Sequence, residues 1–189
     1  MSSTLFRTLP YDSRAGDGEP GNPRWFPREY QGEGRHDNPS MYGCLYVSEV
    51  AVSAVAEALA VFRGSGPLHE SMLTRFGLSL ALIELVVASR ARLIDLDDPT
   101  VLTDEALRPS LVGTHRRSLT REQAATLYRR HRTAIGLRWW SSLESTWINA
   151  TLFDRAAPSL RVATIELLGF DHPAVREAAD FLGLQPRSL

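Results

Sequence analysis

The chain has 189 residues, of which 43% are hydrophobic and 23% charged, and a formal net charge of −1. Those totals suit one soluble domain with a sizeable core, and they exclude a disordered chain or one that binds nucleic acid by bulk positive charge. All 21 basic residues are arginine, so each of these cations is a planar fork matched to carboxylate or phosphate.

In chain order, Leu5–Leu9 reads as a short strand. The stretch that follows, to Pro39, is rich in Gly, Pro and Asp. Loops of that length are functional or disordered, and Trp25, Phe26 and Tyr30 argue that this one packs down. Residues 1–43 are thus expected to form an irregular N-terminal arm that contributes to a site. Cys44–Ser48 predicts a strand and Glu49–Arg63 a helix, with Val52, Val55, Leu59 and Phe62 as its apolar stripe. Gly64-Ser65-Gly66-Pro67 stops that helix. Leu78–Val87 and Leu93–Leu96 read as strands, the second entering an Asp-Asp-Pro turn, with a short helix near Asp104–Leu107. Thr120, with Gln123 three residues on, predicts a capped helix running to about Thr133. Leu137–Trp140, Trp147–Phe153 and Arg161–Leu168 read as strands, and Pro173–Leu182 as a closing helix ended by Gly183. Strands and helices mix without βαβ alternation. The expected class is therefore α+β, a compact mixed sheet with flanking helices in one domain over residues 1–189, with the C-terminal helix in 170–189.

Several chemistries lack their motifs. No dinucleotide fingerprint, P-loop, metalloprotease helix or nucleophile elbow is present. The histidines at 36, 69, 115, 131 and 172 show no metal-ligand spacing, so no metal is expected. Cys44 is the single cysteine and sits in an apolar run, as a small core residue would. No signal peptide is visible, and the most apolar segment, Phe76–Ala88, is too short to span a bilayer. A cytoplasmic protein without membrane contact is the expectation.

Arg35, Tyr46 and Glu57 stand on three successive elements. Arg35 follows Gly32 and Gly34, so its backbone is free to approach a ligand and its guanidinium suits a bidentate phosphate clamp. Tyr46 offers a flat ring on a short strand. Glu57 is a carboxylate among small helix residues, which leave room for a ligand. Taken singly, each has a plainer reading: a solvated loop charge, a core aromatic and a surface helix residue. Further on, Ser141 and Ser142 follow Trp139-Trp140 at a strand exit, and Asn149 interrupts an apolar strand. A polar side chain there either bonds locally or faces a cavity.

The ordered series resembles the RES domain family, named for its arginine, glutamate and serine. Leu5-Phe6-Arg7 is similar to the family's first strand. Gly34-Arg35-His36-Asp37-Asn38-Pro39 is similar to its Gly-Arg turn, Leu45-Tyr46-Val47-Ser48 to its Leu-Tyr strand and Ala56-Glu57 to its helix. Leu93-Ile94-Asp95-Leu96-Asp97-Asp98-Pro99 resembles an aspartate-rich strand end, Gly136-Leu137-Arg138-Trp139-Trp140-Ser141 the late serine motif, and Asn149–Phe153 the Asn-led strand. The likeness runs from Leu5 to Phe153.

The resemblance implies an ADP-ribosyltransferase-like fold and a bacterial toxin that takes NAD as substrate and breaks its nicotinamide–ribose bond. It implies that Glu57 stabilises the ribose as charge develops and that Arg7 and Arg35 hold the pyrophosphate. Tyr46 would wall the nicotinamide pocket, and Ser141 with Asn149 would fix the ribose or amide; Ser142 is open as an alternative to Ser141. The acceptor is open between phosphate, water and protein, so NAD phosphorylase, NAD glycohydrolase and protein ADP-ribosyltransferase are all compatible. A non-catalytic nucleotide- or partner-binding module is a reading of another class. The resemblance also implies a protein antitoxin, often Xre-like. Direct nucleic-acid binding is not expected, although Arg116, Arg117, Arg121, Arg129, Arg130 and Arg132 offer a local basic face.

Overall fold

A computed structural model describes residues 3–184. In chain order the elements are β1 (Ser3–Pro10), β2 (Cys44–Ser48), α1 (Ala51–Leu59), β3 (Thr74–Arg75), β4 (Leu78–Val87), β5 (Arg92–Asp95) and α2 (Pro99–Asp104). They continue with α3 (Pro109–Val112), α4 (Arg117–Arg130), β6 (Ala134–Trp140), β7 (Ile148–Phe153), β8 (Leu160–Leu167) and α5 (Pro173–Leu182). The strands form a mixed sheet flanked by helices, the α+β class that irregular alternation predicts. No helix among the described residues is long and apolar enough to cross a membrane.

The chain divides into two compact units. The first holds Phe26–Tyr46 and Val87–Leu160. Its strands run in the order β2-β7-β6-β5. β6 and β7 are antiparallel, with Leu137 opposite Thr151 and Trp139 opposite Asn149, whereas β5 lies parallel to β6. Opposed residues of an antiparallel pair share a face, so these four point the same way. Tyr42, Cys44, Leu127, Leu137, Trp139 and Phe153 belong to the core of this unit. Cys44 is a core residue, and burial pushes its thiol up out of the reactive range. Gly136 lies where an added Cβ would run into the Thr151 carbonyl, so close strand packing accounts for that glycine.

The second unit holds Thr4–Trp25, Val47–Val86 and residues 161–184. Its strand order is β3-β4-β1-β2, with β8 paired to β4. β1 and β2 are antiparallel, Phe6 opposite Ser48. α1 packs on α5. The buried face of α1 carries Ser53, Val55, Ala56 and Leu59, while Val52 and Phe62 are only half-buried. Thus the apolar stripe sits one position round from the one the spacing predicts.

Two helix starts also differ from expectation. Asp98-Pro99 opens α2: the Asp98 carboxylate accepts from Thr100 N at 2.8 Å, and Pro99 takes the first helical position, where its missing N–H costs nothing. The turn therefore becomes a helix over Pro99–Asp104 instead of one near Asp104–Leu107. Likewise α4 begins at Arg117, and Thr120 is a buried residue inside it, not its cap. The Thr120 hydroxyl donates to the Arg35 carbonyl at 2.6 Å, a long-range bond that capping periodicity does not reveal.

The N-terminal arm is held by polar contacts. Arg24 pairs with Asp17 at 2.6 Å, and Asn22 donates to the Ala15 carbonyl at 3.1 Å. Gln31 reads both backbone groups of Cys44, accepting from its N–H at 2.8 Å and donating to its carbonyl at 2.7 Å. Trp25 and Phe26 are half-buried as expected, but Tyr30 is exposed.

Candidate functional site

The loop Gly32–Asn38 is organised around Asp37, whose side chain is buried. One carboxylate oxygen accepts from Gly32 N at 2.9 Å and from Gly34 N at 2.7 Å. The other accepts from the Tyr46 hydroxyl at 2.7 Å. The same hydroxyl accepts from His36 N at 2.9 Å. Tyr46 is thereby fixed at its tip, with its ring half-buried, and burial first, then nearby negative groups, hold its phenol well above the usual range. It is a neutral phenol held at a fixed orientation. Gly34 is required here for space: an added Cβ would lie 2.5 Å from the Tyr46 hydroxyl and 2.6 Å from an Asp37 oxygen.

Arg35 is 4% exposed, so it is not a solvated loop charge. One guanidinium nitrogen donates to the carbonyls of Val112 at 3.0 Å and Thr114 at 2.9 Å, and the group lies 4.9 Å from the Trp139 ring centre. This arginine ties the loop to the segment before α4. Next to it, His36 Nδ1 shares a 2.8 Å hydrogen bond with the Thr151 hydroxyl, which also accepts from Trp139 Nε1 at 3.1 Å. Burial, and then the charges of Arg35 and Arg117, push the imidazole down to about 3, so His36 is neutral at physiological pH. His36, Asp37, Trp139 and Thr151 form a framework that the sequence reading did not single out. The available signal was the density of polar residues in Gly34–Asn38 and a Thr in an apolar strand.

Ser141 and Asn149 are both buried, at 2% and 4% exposure, in the same unit as Arg35 and Tyr46. Ser141 closes the β6–β7 turn: its N–H donates to the Trp147 carbonyl at 2.7 Å, and its hydroxyl accepts from Leu143 N at 3.0 Å. Ser142 is exposed. Asn149 shares its sheet face with Trp139, the ring under Arg35. The first unit thus collects Arg35, Tyr46, Ser141 and Asn149 with one buried acid and one neutral histidine.

Arg7 and Glu57 belong to the second unit. Arg7 stands on β1 and donates to the carbonyls of Pro23 at 2.8 Å and Trp25 at 3.2 Å. Burial pushes its guanidinium down to about 10, still charged near neutral pH. Among the described residues no carboxylate pairs with it, so it is a cation held in place by neutral acceptors. Glu57 is on the exposed side of α1, opposite the face that meets α5. Among the described residues there is no group of His, Cys, Asp and Glu that could hold a metal ion.

No curated protein matches the chain. Among solved structures it is similar to a chain in the crystal structure of the M. tuberculosis MbcT–MbcA toxin–antitoxin complex. The TM-score is 0.63 at 15% identity, over 98% of this chain and 90% of that one. At that identity the likeness is one of fold. The family model described as RES domain matches residues 9–175, a span that begins just after Arg7 and takes in Arg35, Tyr46, Glu57, Ser141 and Asn149 in order. With most of its length matched, the chain belongs to the RES domain family.

Proposed function

We propose that this protein is the toxin of a toxin–antitoxin pair and that it destroys NAD by breaking the nicotinamide–ribose bond. The observation that carries the reading is the family match running through the ordered set Arg35, Tyr46, Glu57, Ser141 and Asn149. The chemistry suits the residues. Nicotinamide leaves with the bonding electron pair and becomes neutral, so no strong acid is needed to expel it. Positive charge grows on the ribose, and the Glu57 carboxylate stabilises it. Arg7, a cation without a carboxylate partner among the described residues, takes the pyrophosphate. Arg35 is engaged with carbonyls, so its contribution to anion binding comes chiefly through its charge and its hold on the loop. Tyr46 walls the nicotinamide, and Ser141 and Asn149 orient the ribose or amide.

The released ADP-ribosyl group is transferred to phosphate or water. Purified protein incubated with NAD, with and without inorganic phosphate, tests this when the products are resolved by mass. Free nicotinamide is the expected product, with ADP-ribose phosphate appearing only where phosphate is present. Glu57→Gln, a change at an exposed residue, should slow nicotinamide release by about 100-fold or more. Intact NAD from well-folded wild-type protein in both tubes rejects the reading. A protein antitoxin, Xre-like by family resemblance, is the proposed partner, and the site of action is the cytoplasm.

A further inference from the structure

A second cluster of cations lies at the C-terminal end of α4, among residues given no role above. Tyr128, Arg129, Arg132 and Arg155 line a cavity of about 350 Å³, within the range of small-ligand pockets. Arg155 is the rigid member. Its guanidinium lies 3.7 Å from the Tyr128 ring centre, and Nη2 donates to the Tyr128 carbonyl at 2.9 Å. Nη1 donates to the carbonyls of His131, at 3.4 Å, and Arg132. Arg155 thus satisfies the Tyr128 carbonyl in the last turn of α4 and two carbonyls just beyond it, and its charge offsets part of the negative pole there. Arg155 Nε is buried and has no hydrogen-bond partner among the described residues.

The acids nearby are engaged elsewhere. Glu105 pairs with Arg130 at 2.8 Å and His131 at 2.7 Å. Asp154 accepts from Gly43 N at 2.9 Å and lies 3.7 Å from Arg28. Arg129 and Arg132 are exposed, and neither forms an ion pair with the described residues. Three guanidinium groups and no carboxylate line the cavity, and the neighbouring Asp154 acts on Arg155 alone among the three. Arg129 and Arg132 each offer a donor fork matched to phosphate oxygens, and Arg155, bonded to carbonyls, adds its fixed charge. A solvated helix end would account for Arg129 and Arg132 alone, but not for a third guanidinium held at the same cavity by the Tyr128 ring and three backbone carbonyls.

We propose that this cavity is a binding site for a small phosphoanion, a phosphate or pyrophosphate group free or carried on a metabolite, with Arg155 as its fixed floor and Arg129 and Arg132 as closing arms. The proposal does not rest on the NAD reading. Calorimetric titration of the full chain with inorganic pyrophosphate at fixed ionic strength tests it, alongside inorganic phosphate and ADP to distinguish a free from a carried group. Saturable binding is expected. It should weaken at least tenfold in the Arg129→Ala/Arg132→Ala double variant and persist in Arg7→Ala, with nicotinamide release unchanged in the double variant. The Arg155 Nε–Hε NMR resonance of the wild type should move on titration, a readout that needs no variant. Absence of saturable binding overturns the site. So does binding that is lost in Arg7→Ala and kept in the double variant. A single-stranded RNA retained through Arg129 and Arg132 while pyrophosphate is not would overturn it in favour of a nucleic-acid surface.

Discussion

Asp37 illustrates how one residue can set a loop. Its two oxygens take three donors, Gly32 N, Gly34 N and the Tyr46 hydroxyl, and its burial is tolerable because all three are made. Gly34 is the point where this arrangement is most easily broken. A methyl group there meets a carboxylate pinned by two backbone N–H groups and a phenol pinned at its tip, so neither neighbour yields at low cost. Gly34→Ala is expected to destabilise the protein by about 2–4 kcal/mol, read from urea denaturation, and to lower NAD turnover by displacing Tyr46. Arg35 teaches the complementary lesson. Its type and its glycine neighbours made it a candidate cation in the sequence. Its bonds to the Val112 and Thr114 carbonyls, nearly eighty positions away, lie beyond any local pattern.

At the scale of elements, strands were the most readable parts. Cys44–Ser48, Leu78–Val87 and the closing helix Pro173–Leu182 fall where apolar runs and turn residues place them. Gly183 ends that helix in the left-handed region at φ 70°, where glycine avoids the Cβ penalty. Helix beginnings were less readable, because a cap is a side-chain bond and a Thr offers several. At α2 the bond is made by Asp98, so Asp98→Ala should cost about 1 kcal/mol, seen as a lower thermal midpoint. Thr120 spends its hydroxyl on the Arg35 carbonyl and the Arg117 carbonyl, so α4 extends a turn earlier and the capping-box spacing is incidental.

At the scale of the whole molecule, the two compact units divide the candidate residues, Arg7 and Glu57 in one, Arg35, Tyr46, Ser141 and Asn149 in the other, while one family match covers residues 9–175. Global stability should carry the signature of His36. Its imidazole titrates near 3 when folded and near the ordinary 6.5 when unfolded, so between those values the unfolded chain binds more protons. Stability is therefore undiminished above about pH 6.5 and falls as pH drops toward 3. The loss amounts to about 2 kcal/mol from pH 7.5 to 5. Comparing denaturation midpoints at about pH 7.5 and pH 5 checks this, and His36→Gln should flatten the difference even if it lowers stability at both.

The sequence by itself determined the α+β class, most of the strands and the ordered residues that mark the family, because apolar periodicity, turn chemistry and motif order are local or linear properties. The tertiary structure decided which polar groups are buried and what they bond. Arg35 reaches carbonyls before α4, His36 reaches Thr151 across 115 positions, and the Arg155 guanidinium closes the end of α4. Those outcomes depend on desolvation and on partners brought together by folding, and neither quantity is written in the neighbourhood of any one residue.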